Sequence, residues 1–173
     1  MRGVNDDQAG ELLDWSLRHD FQLRFIEQMP LDADHEWTRS GMVSAGEVRD
    51  RISEDFDLVP QAEPRGSAPA ELWDVYPLGA ADAGNPAPVL GQVGVIASVT
   101  EPFCEACSRT RITADGKIRS CLFSHEETDL MEALRDGSTD ERIAEIWQAA
   151  MWTKPKAHGP VSYTHLTLPT TPY

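Results

Sequence analysis

Three cysteines stand close together in the sequence, and Cys104, Cys107 and Cys121 form the pattern C-x2-C-x13-C. Two thiolates separated by two residues on a tight turn can bind one face of a metal centre. Between Cys107 and Cys121 an Asp-Gly pair at 115–116 lies between two isoleucines, which predicts a β-hairpin. We expect this hairpin to return Cys121 toward the other two cysteines by local geometry alone.

The spacing leaves the identity of this site open. One interpretation is a set of three buried thiols, although C-x2-C followed by a hairpin is rare by accident. A second is zinc, because His125 follows Cys121 by four residues and would complete a Cys3His set. A third is an iron-sulfur cluster with three thiolate ligands and one iron open to another ligand. A disulfide is disfavoured by the odd cysteine count and the lack of any sign of secretion.

The charge of the chain excludes some partners and favours others. A net charge of -14 and a pI of about 4.6 argue against nucleic acid or an anionic membrane as partner. Residues 104–121 are the exception, with four basic and two acidic side chains. Arg109 and Arg111, two positions apart, project to the same side of an extended chain and can reach one anionic ligand together.

The first part of the chain predicts one helix-strand unit. Residues 6–18 have the periodicity of a helix with Asp6 as N-cap, and residues 21–28 read as a strand that Pro30 stops. Such a unit is one step of a parallel sheet or barrel and cannot bury itself alone. We therefore expect further elements before Met1.

Further elements follow along the chain. A capping box over 44–47 begins a helix that runs to about residue 54, residues 60–70 form a proline-rich loop, and strands at 72–76 and 89–99 pair antiparallel. After Cys121 we expect a helix that Thr128 caps and that ends at 136–137. A second capping box over 138–141 begins a last helix with one apolar face.

The sequence around the cysteines, together with three further motifs, resembles a known family. Residues 102–123 read P-F-C-x2-C-x-R-x-R-x-T-A-D-G-K-x-R-x-C-L-F, with R-G-V-N-D-D at 2–7, R-F-I-E-Q-M-P at 24–30 and K-P-x2-H-G at 154–159. Together these motifs resemble, in order, those of the GTP 3',8-cyclase family of radical S-adenosylmethionine enzymes. The resemblance covers about residues 1–160.

The resemblance implies a role for several residues. The three cysteines would bind a 4Fe–4S cluster whose open iron takes the purine of GTP, while Met29 would contact S-adenosylmethionine. Arg24 and Glu27 match active-site positions, Arg24 on phosphate or on the cofactor carboxylate. The implied GTP-binding residues are Arg109, Thr110 and Arg111.

It also implies a fold class and a domain order. The fold is α/β: residues 1–58 would be the last strand-helix units of an incomplete TIM-type barrel of the radical S-adenosylmethionine enzymes. Residues 59–161 would be a small α+β C-terminal domain that binds the cluster and GTP. The tail 162–173 resembles no part of the family and looks like a translated vector junction. The C-x3-C-x2-C loop that holds the second 4Fe–4S cluster in this family is not found in the sequence, so we expect a C-terminal fragment that is inactive alone.

The implied activity converts GTP to 3',8-cyclo-7,8-dihydro-GTP in molybdenum cofactor biosynthesis. Implied partners are GTP, S-adenosylmethionine, the cyclic pyranopterin monophosphate synthase that acts next and, for the full-length enzyme, a second copy of itself. The sequence predicts a cytoplasmic protein with no nucleic-acid or membrane partner. The alternative is a non-catalytic zinc-binding module formed by the cysteines and His125.

Overall fold

The computed structural model describes residues 1–31, 36–81, 88–124 and 126–155. The chain divides into two compact units, which we call unit 1 (Met1–Phe103) and unit 2 (Cys104–Tyr173). None of the helices in the described ranges is long and apolar enough to cross a membrane.

Unit 1 is a mixed sheet with two helices on one face. Its helices are α1 (Ala9–Arg18) and α2 (Ala45–Ile52), and its strands are β1 (Leu23–Ile26), β2 (Phe56–Pro60), β3 (Glu71–Pro77) and β4 (Gly91–Ile96). The strand order is β1-β4-β3-β2, with β1 parallel to β4 and the other pairs antiparallel. The predicted antiparallel pairing of the two later strands is therefore confirmed.

The core of unit 1 lies between the sheet and its helices. Leu13, Ile52, Val75 and Val93 are fully buried there, and Leu23 and Phe25 of β1 pack against this cluster. Residues that alternate with these point to the other face of the sheet. Mixed α/β architecture is thus confirmed, whereas the origin of unit 1 in a barrel stays a prediction.

The two helices begin differently from each other. In α2 the predicted capping box is present, because Ser44 Oγ accepts from the Glu47 N–H and Glu47 accepts from the Ser44 N–H. The predicted Asp6 cap of α1 is wrong, since the helix begins at Ala9. Asp6 instead accepts from the Gly3 N–H at 2.7 Å and pairs with Arg51 at 2.9 Å.

Strand β2 was not predicted. Its apolar residues Phe56 and Leu58 pack on the core, and its pairing with β3 runs from Phe56↔Pro77 to Pro60↔Trp73. The strand is short and ends in proline, so the pattern was weak. The compact units do not coincide with the predicted domain boundary between residues 58 and 59, which stays a prediction about the full-length protein.

Unit 2 is a small three-stranded sheet with two helices. A 3-10 turn at Cys104–Ala106 is followed by β5 (Arg111–Ile112), β6 (Lys117–Arg119), β7 (Thr128–Asp129), α3 (Met131–Arg135) and α4 (Asp140–Trp152). Both strand pairs are antiparallel, in the order β5-β6-β7. Ile118 and Leu130 are buried against the predicted apolar face of α4, which Ile143, Ile146, Trp147 and Ala150 form.

Two predicted caps in unit 2 are wrong. Thr128 lies in β7, and the Asp129 carboxylate accepts from the N–H groups of Met131 and Glu132 at 2.7 and 3.4 Å. The box over 138–141 does not form, because α4 begins one residue later and Thr139 Oγ1 caps it. In both cases a neighbouring residue accepts from the first N–H groups of the helix: Asp129, one position before the N-cap Leu130, for α3, and the N-cap Thr139 for α4.

Candidate functional site

Cys104 begins the 3-10 turn at the start of unit 2, and Cys107 directly follows this turn. The Cys107 N–H donates to the Cys104 carbonyl at 3.2 Å, which closes the turn. All three cysteines are half-buried, and none forms a disulfide with another described residue. Half-buried thiols without a disulfide are available to bind a ligand.

The predicted hairpin forms the far side of this region. In the antiparallel register of β5 and β6 the backbone of Arg111 lies opposite that of Arg119. At the tip the Gly116 N–H donates to the Thr113 carbonyl at 3.0 Å, and Gly116 has a φ of 78°. A left-handed residue at this point is what the Asp-Gly pair supplies. The hairpin therefore reverses the chain between Cys107 and Cys121, as predicted.

The hairpin alone does not assemble a metal site. Within the described ranges, which leave out His125, no group of three or more His, Cys, Asp or Glu side chains is placed to hold a metal ion. The donor chemistry of three reduced thiols suits an iron-sulfur cluster. The role of Cys104, Cys107 and Cys121 as its ligands remains a prediction, and the predicted zinc ligand His125 lies outside the described residues.

The Cys107 sulfur lies in a cationic environment. Burial by itself raises the pKa of this thiol, but the Arg109 side chain and N–H, with a smaller contribution from Lys154, lower the pKa below its usual value. Arg109 Nε donates to Cys107 Sγ at 3.3 Å. A thiol with a lowered pKa is more readily a thiolate, which is the form that binds metal.

The three predicted GTP-binding residues follow the cysteine turn directly. Arg109 is exposed and Arg111 is half-buried at the start of β5; Arg111 has no ion pair with an acidic side chain in the part of the chain that the structure describes. The Thr110 hydroxyl is buried and has no hydrogen-bond partner among the described residues. Buried hydroxyls are usually satisfied, so an unsatisfied one at this position is consistent with a polar ligand.

The other two cations of the hairpin are already neutralised. Lys117 pairs with Asp115 at 2.9 Å and with Glu127 at 3.5 Å, and Arg119 also pairs with Glu127. Hydrogen bonds from Thr113 and Lys117 lower the pKa of Asp115 to about 2. The sequence count over 104–121 did not include Glu127. The capacity of this segment to bind an anion therefore depends on Arg109 and Arg111.

Glu27 lies at the end of β1 in unit 1, where its carboxylate is buried with an exposed fraction of 4%. It accepts from the N–H groups of Ala45, Val99 and Thr100 at 2.8, 2.7 and 2.9 Å, and from the Thr100 hydroxyl. These contacts join the start of α2 to the turn after β4. Glu27 thus fixes the backbone at the start of α2 and after β4, and its role at an active site stays a prediction.

Arg24 lies on the face of the sheet opposite the helices. Its Cγ is near Gly94 of the neighbouring strand, and its Nε and Nη2 donate to Gln22 Oε1 at 3.2 and 2.7 Å. Gln22 donates to Gln92, which in turn donates to Asp74 at 3.2 Å. The exposed guanidinium of Arg24 is therefore oriented by a line of hydrogen-bonded side chains across the sheet.

Met29 is half-buried three residues after the end of β1. It lines a cavity of about 400 Å³ in unit 1. The other lining residues are Met1, Asn5, Asp6, Gln8, Ala9, Leu12, Phe25, Ile26, Glu27, Gln28, Val43 and Val48. The structure therefore places Met29 and Glu27 at one cavity, while the cysteines and Arg109–Arg111 belong to unit 2.

Sequence reasoning assigned no role to two residues that contact predicted site residues. Thr100 donates to Glu27 through both its N–H and its hydroxyl. Lys154 donates to the Arg109 carbonyl at 2.6 Å. Only Lys154 had a sequence signal, because it begins the K-P-x2-H-G motif.

Fold and site together define a mixed α/β protein with a three-cysteine, two-arginine motif in its second unit. The chain belongs to the Molybdenum Cofactor Synthesis C family, which matches residues 21–160.

Curated relatives carry one activity in their names. The chain is 57% identical over 159 residues to the GTP 3',8-cyclase of Paenarthrobacter nicotinovorans, covering 92% of this chain and 45% of the relative. It is 54% identical over 160 residues to that of Streptomyces coelicolor, with coverage of 92% and 44%. For the Mycolicibacterium smegmatis protein of the same name the identity is 54% over 153 residues, with coverage of 88% and 40%. The chain thus spans less than half the length of these relatives.

Proposed function

We propose that this chain is the substrate-anchoring part of a GTP 3',8-cyclase in molybdenum cofactor biosynthesis. The observation that carries the proposal is the identity of more than half of the aligned residues to proteins of that name, over 92% of the chain for two of them. The chain spans 45% of the most fully covered of the three relatives described above, so we propose that it does not turn GTP over alone.

In this proposal unit 2 binds the cluster and the nucleotide. Cys104, Cys107 and Cys121 hold a 4Fe–4S cluster, which supplies, when bound, an iron with one open coordination position. Arg109 and Arg111 donate to the phosphates or base carbonyls of GTP, because guanidinium groups stay charged and offer forked donors. The buried, unsatisfied hydroxyl of Thr110 supports a polar ligand next to them.

Unit 1 has a different part in the proposal. It is the end of a radical S-adenosylmethionine barrel, in which Met29 contacts S-adenosylmethionine and Arg24 binds phosphate or the cofactor carboxylate. The parallel pairing of β1 with β4 and the orientation of Arg24 away from the helices support this assignment. Glu27 contributes by fixing the backbone around these residues.

Anaerobic reconstitution of the chain with ferrous iron and sulfide tests the proposal. We expect a brown protein that retains iron and sulfide, binds GTP and loses its iron when Cys104, Cys107 or Cys121 is replaced by serine. The matched control is Ser108→Ala. It changes the residue directly after Cys107 and removes no predicted ligand, so this variant should retain iron. With S-adenosylmethionine, reductant and GTP the chain should form no 5'-deoxyadenosine.

A zinc result would contradict the proposal. A colourless chain that holds one zinc, loses it on His125→Ala and ignores GTP would identify an interaction module. Activity is tested in a chimera whose C-terminal part is residues 1–160 of this chain and whose preceding part comes from the P. nicotinovorans relative. We expect this chimera to be active and its Arg109→Ala variant to bind GTP about tenfold more weakly.

A further inference from the structure

Lys154 connects the end of the last helix of unit 2 to the cysteine turn. Its Nζ donates to the Arg109 carbonyl at 2.6 Å, across 45 positions of sequence. The backbone of this lysine is itself fixed, because its N–H donates to the Met151 carbonyl at 3.2 Å, and the preceding Thr153 hydroxyl donates to Ala150 at 2.9 Å. The ammonium is thus presented by the end of α4 and not by a free loop.

The carbonyl that Lys154 binds belongs to the residue that contacts a cysteine. Arg109 Nε donates to Cys107 Sγ at 3.3 Å, and the Cys107 N–H donates to Cys104 at 3.2 Å. A line of contacts therefore runs from α4 through Arg109 to both cysteines of the turn. A change at Lys154 affects the backbone from which the Arg109 side chain extends.

We propose that Lys154 is a positioning residue for the cysteine turn and for Arg109, an inference that rests on the function proposed above. An ammonium hydrogen-bonded to a carbonyl restricts the rotation of that peptide, so less freedom is lost when Arg109 binds an anion. The ammonium is also connected to the Cys107 sulfur through Arg109, whose carbonyl accepts from Lys154 and whose Nε donates to the sulfur, and a positive charge there favours electron-rich ligands. If Lys154 only capped the C-terminus of α4, it would influence neither the binding of an anion by Arg109 nor the charge around the Cys107 sulfur.

The test uses the anaerobically reconstituted chain and three variants. Lys154→Met removes the ammonium and keeps an apolar stem, Lys154→Arg keeps a charged donor, and Lys154→Gln keeps a neutral donor. The matched control is Arg142→Met, which removes an exposed cation of the same helix that pairs with Glu145 at 3.0 Å. GTP affinity is measured by equilibrium dialysis, and the midpoint potential of bound iron by redox titration followed by electron paramagnetic resonance.

We expect Lys154→Met to weaken GTP binding about tenfold and to make the midpoint potential more negative, because a positive charge near the sulfurs is lost. Lys154→Arg should restore both quantities to within about twofold, and Arg142→Met should leave both unchanged. Thermal unfolding identifies variants that fail to fold. If Lys154→Met fails to fold, Lys154→Gln takes its place. Because it keeps a donor and loses the charge, it should show the same shift of potential with a smaller weakening of GTP binding.

The outcomes separate this inference from the proposed function. A wild-type chain that holds no iron-sulfur cluster or binds no GTP overturns both. A wild-type chain that does both, while Lys154→Met matches it in affinity and potential, overturns only the role of Lys154. A variant with lowered thermal stability and unchanged affinity and potential would reduce Lys154 to a helix cap.

Discussion

Glu27 in unit 1 and the cysteines of unit 2 are both predicted site groups, yet their surroundings differ. The Glu27 carboxylate is 4% exposed and accepts hydrogen bonds from three backbone N–H groups and a hydroxyl. The cysteines are half-buried, and the hydroxyl of Thr110 beside them is unsatisfied among the described residues. A polar group that the protein satisfies fully supports the scaffold, whereas groups left half-open are suited to a ligand from outside.

The largest expected effect is on Glu27. Replacement by alanine leaves the N–H groups of Ala45, Val99 and Thr100 without their acceptor, so we expect Glu27→Ala to lower the free energy of unfolding by about 3 kcal/mol. Chemical denaturation of the metal-free chain measures this loss. Glu27→Gln, which keeps one acceptor oxygen, should show an intermediate loss.

Two control variants compare Glu27 with an exposed carboxylate and with a predicted ligand. Glu54→Ala removes an exposed carboxylate of unit 1 and should change the unfolding free energy by about 0.5 kcal/mol or less. Cys121→Ser in unit 2 should be equally mild without metal. If Cys121→Ser destabilises the metal-free chain as much as Glu27→Ala does, Cys121 also supports the scaffold, and the distinction drawn between Glu27 and the cysteines is wrong.

A smaller effect is expected at the tip of the hairpin. Gly116 has a φ of 78°, and a Cβ there would lie 2.6 Å from Met131 Cε and 3.1 Å from Met131 Cβ. Gly137 has a φ of 82° and no atom within 4 Å of such a Cβ, so it controls for backbone strain alone. We expect about 2 kcal/mol of destabilisation for Gly116→Ala and about 1 kcal/mol for Gly137→Ala.

Thermal unfolding of the two alanine variants measures this difference. Equal destabilisation would mean that the Met131 side chain moves away from the added Cβ at no cost in the free energy of unfolding. The hairpin that separates Cys107 from Cys121 would then be less tightly packed than the contacts of Gly116 indicate. It would leave unit 2 held together mainly by the apolar face of α4.

Features encoded by neighbouring residues were predictable from sequence. The hairpin follows from the Asp-Gly pair at 115–116, and the start of α2 follows from Ser44 and Glu47, which are three residues apart. The apolar face of α4 follows from its helical period. In each case the residues that specify the feature lie within about four turns of helix or one hairpin.

Features that depend on distant partners were not predictable. The donors to Glu27 lie 18, 72 and 73 residues further along the chain, and the Lys154 contact with Arg109 spans 45. Strand β7 has only two residues and exists because β6 offers it an edge. One sequence does not reveal such pairings, so the buried contacts of Glu27 were not foreseen and Thr128 was interpreted as a cap.

The smallest expected effect returns to unit 1, at an acidic group that is half-open. The Ser44 N–H, then Arg2 and the Ser44 hydroxyl, donate to Glu47 and lower its pKa from 4.5 to about 2. Because the folded pKa is below the unfolded one, the stabilisation is complete above about pH 4.5 and is lost as the pH falls toward 2. The side chain is 40% exposed, so solvent screening limits the effect to about 1 kcal/mol. Urea denaturation of the wild-type chain and of Glu47→Gln should differ by this amount at pH 7 and converge near pH 2, while Glu54→Gln follows the wild type throughout. A constant difference across that range would mean that the Glu47 charge does not stabilise the start of α2. A stabilising role for carboxylates in unit 1 would then be limited to buried ones such as Glu27.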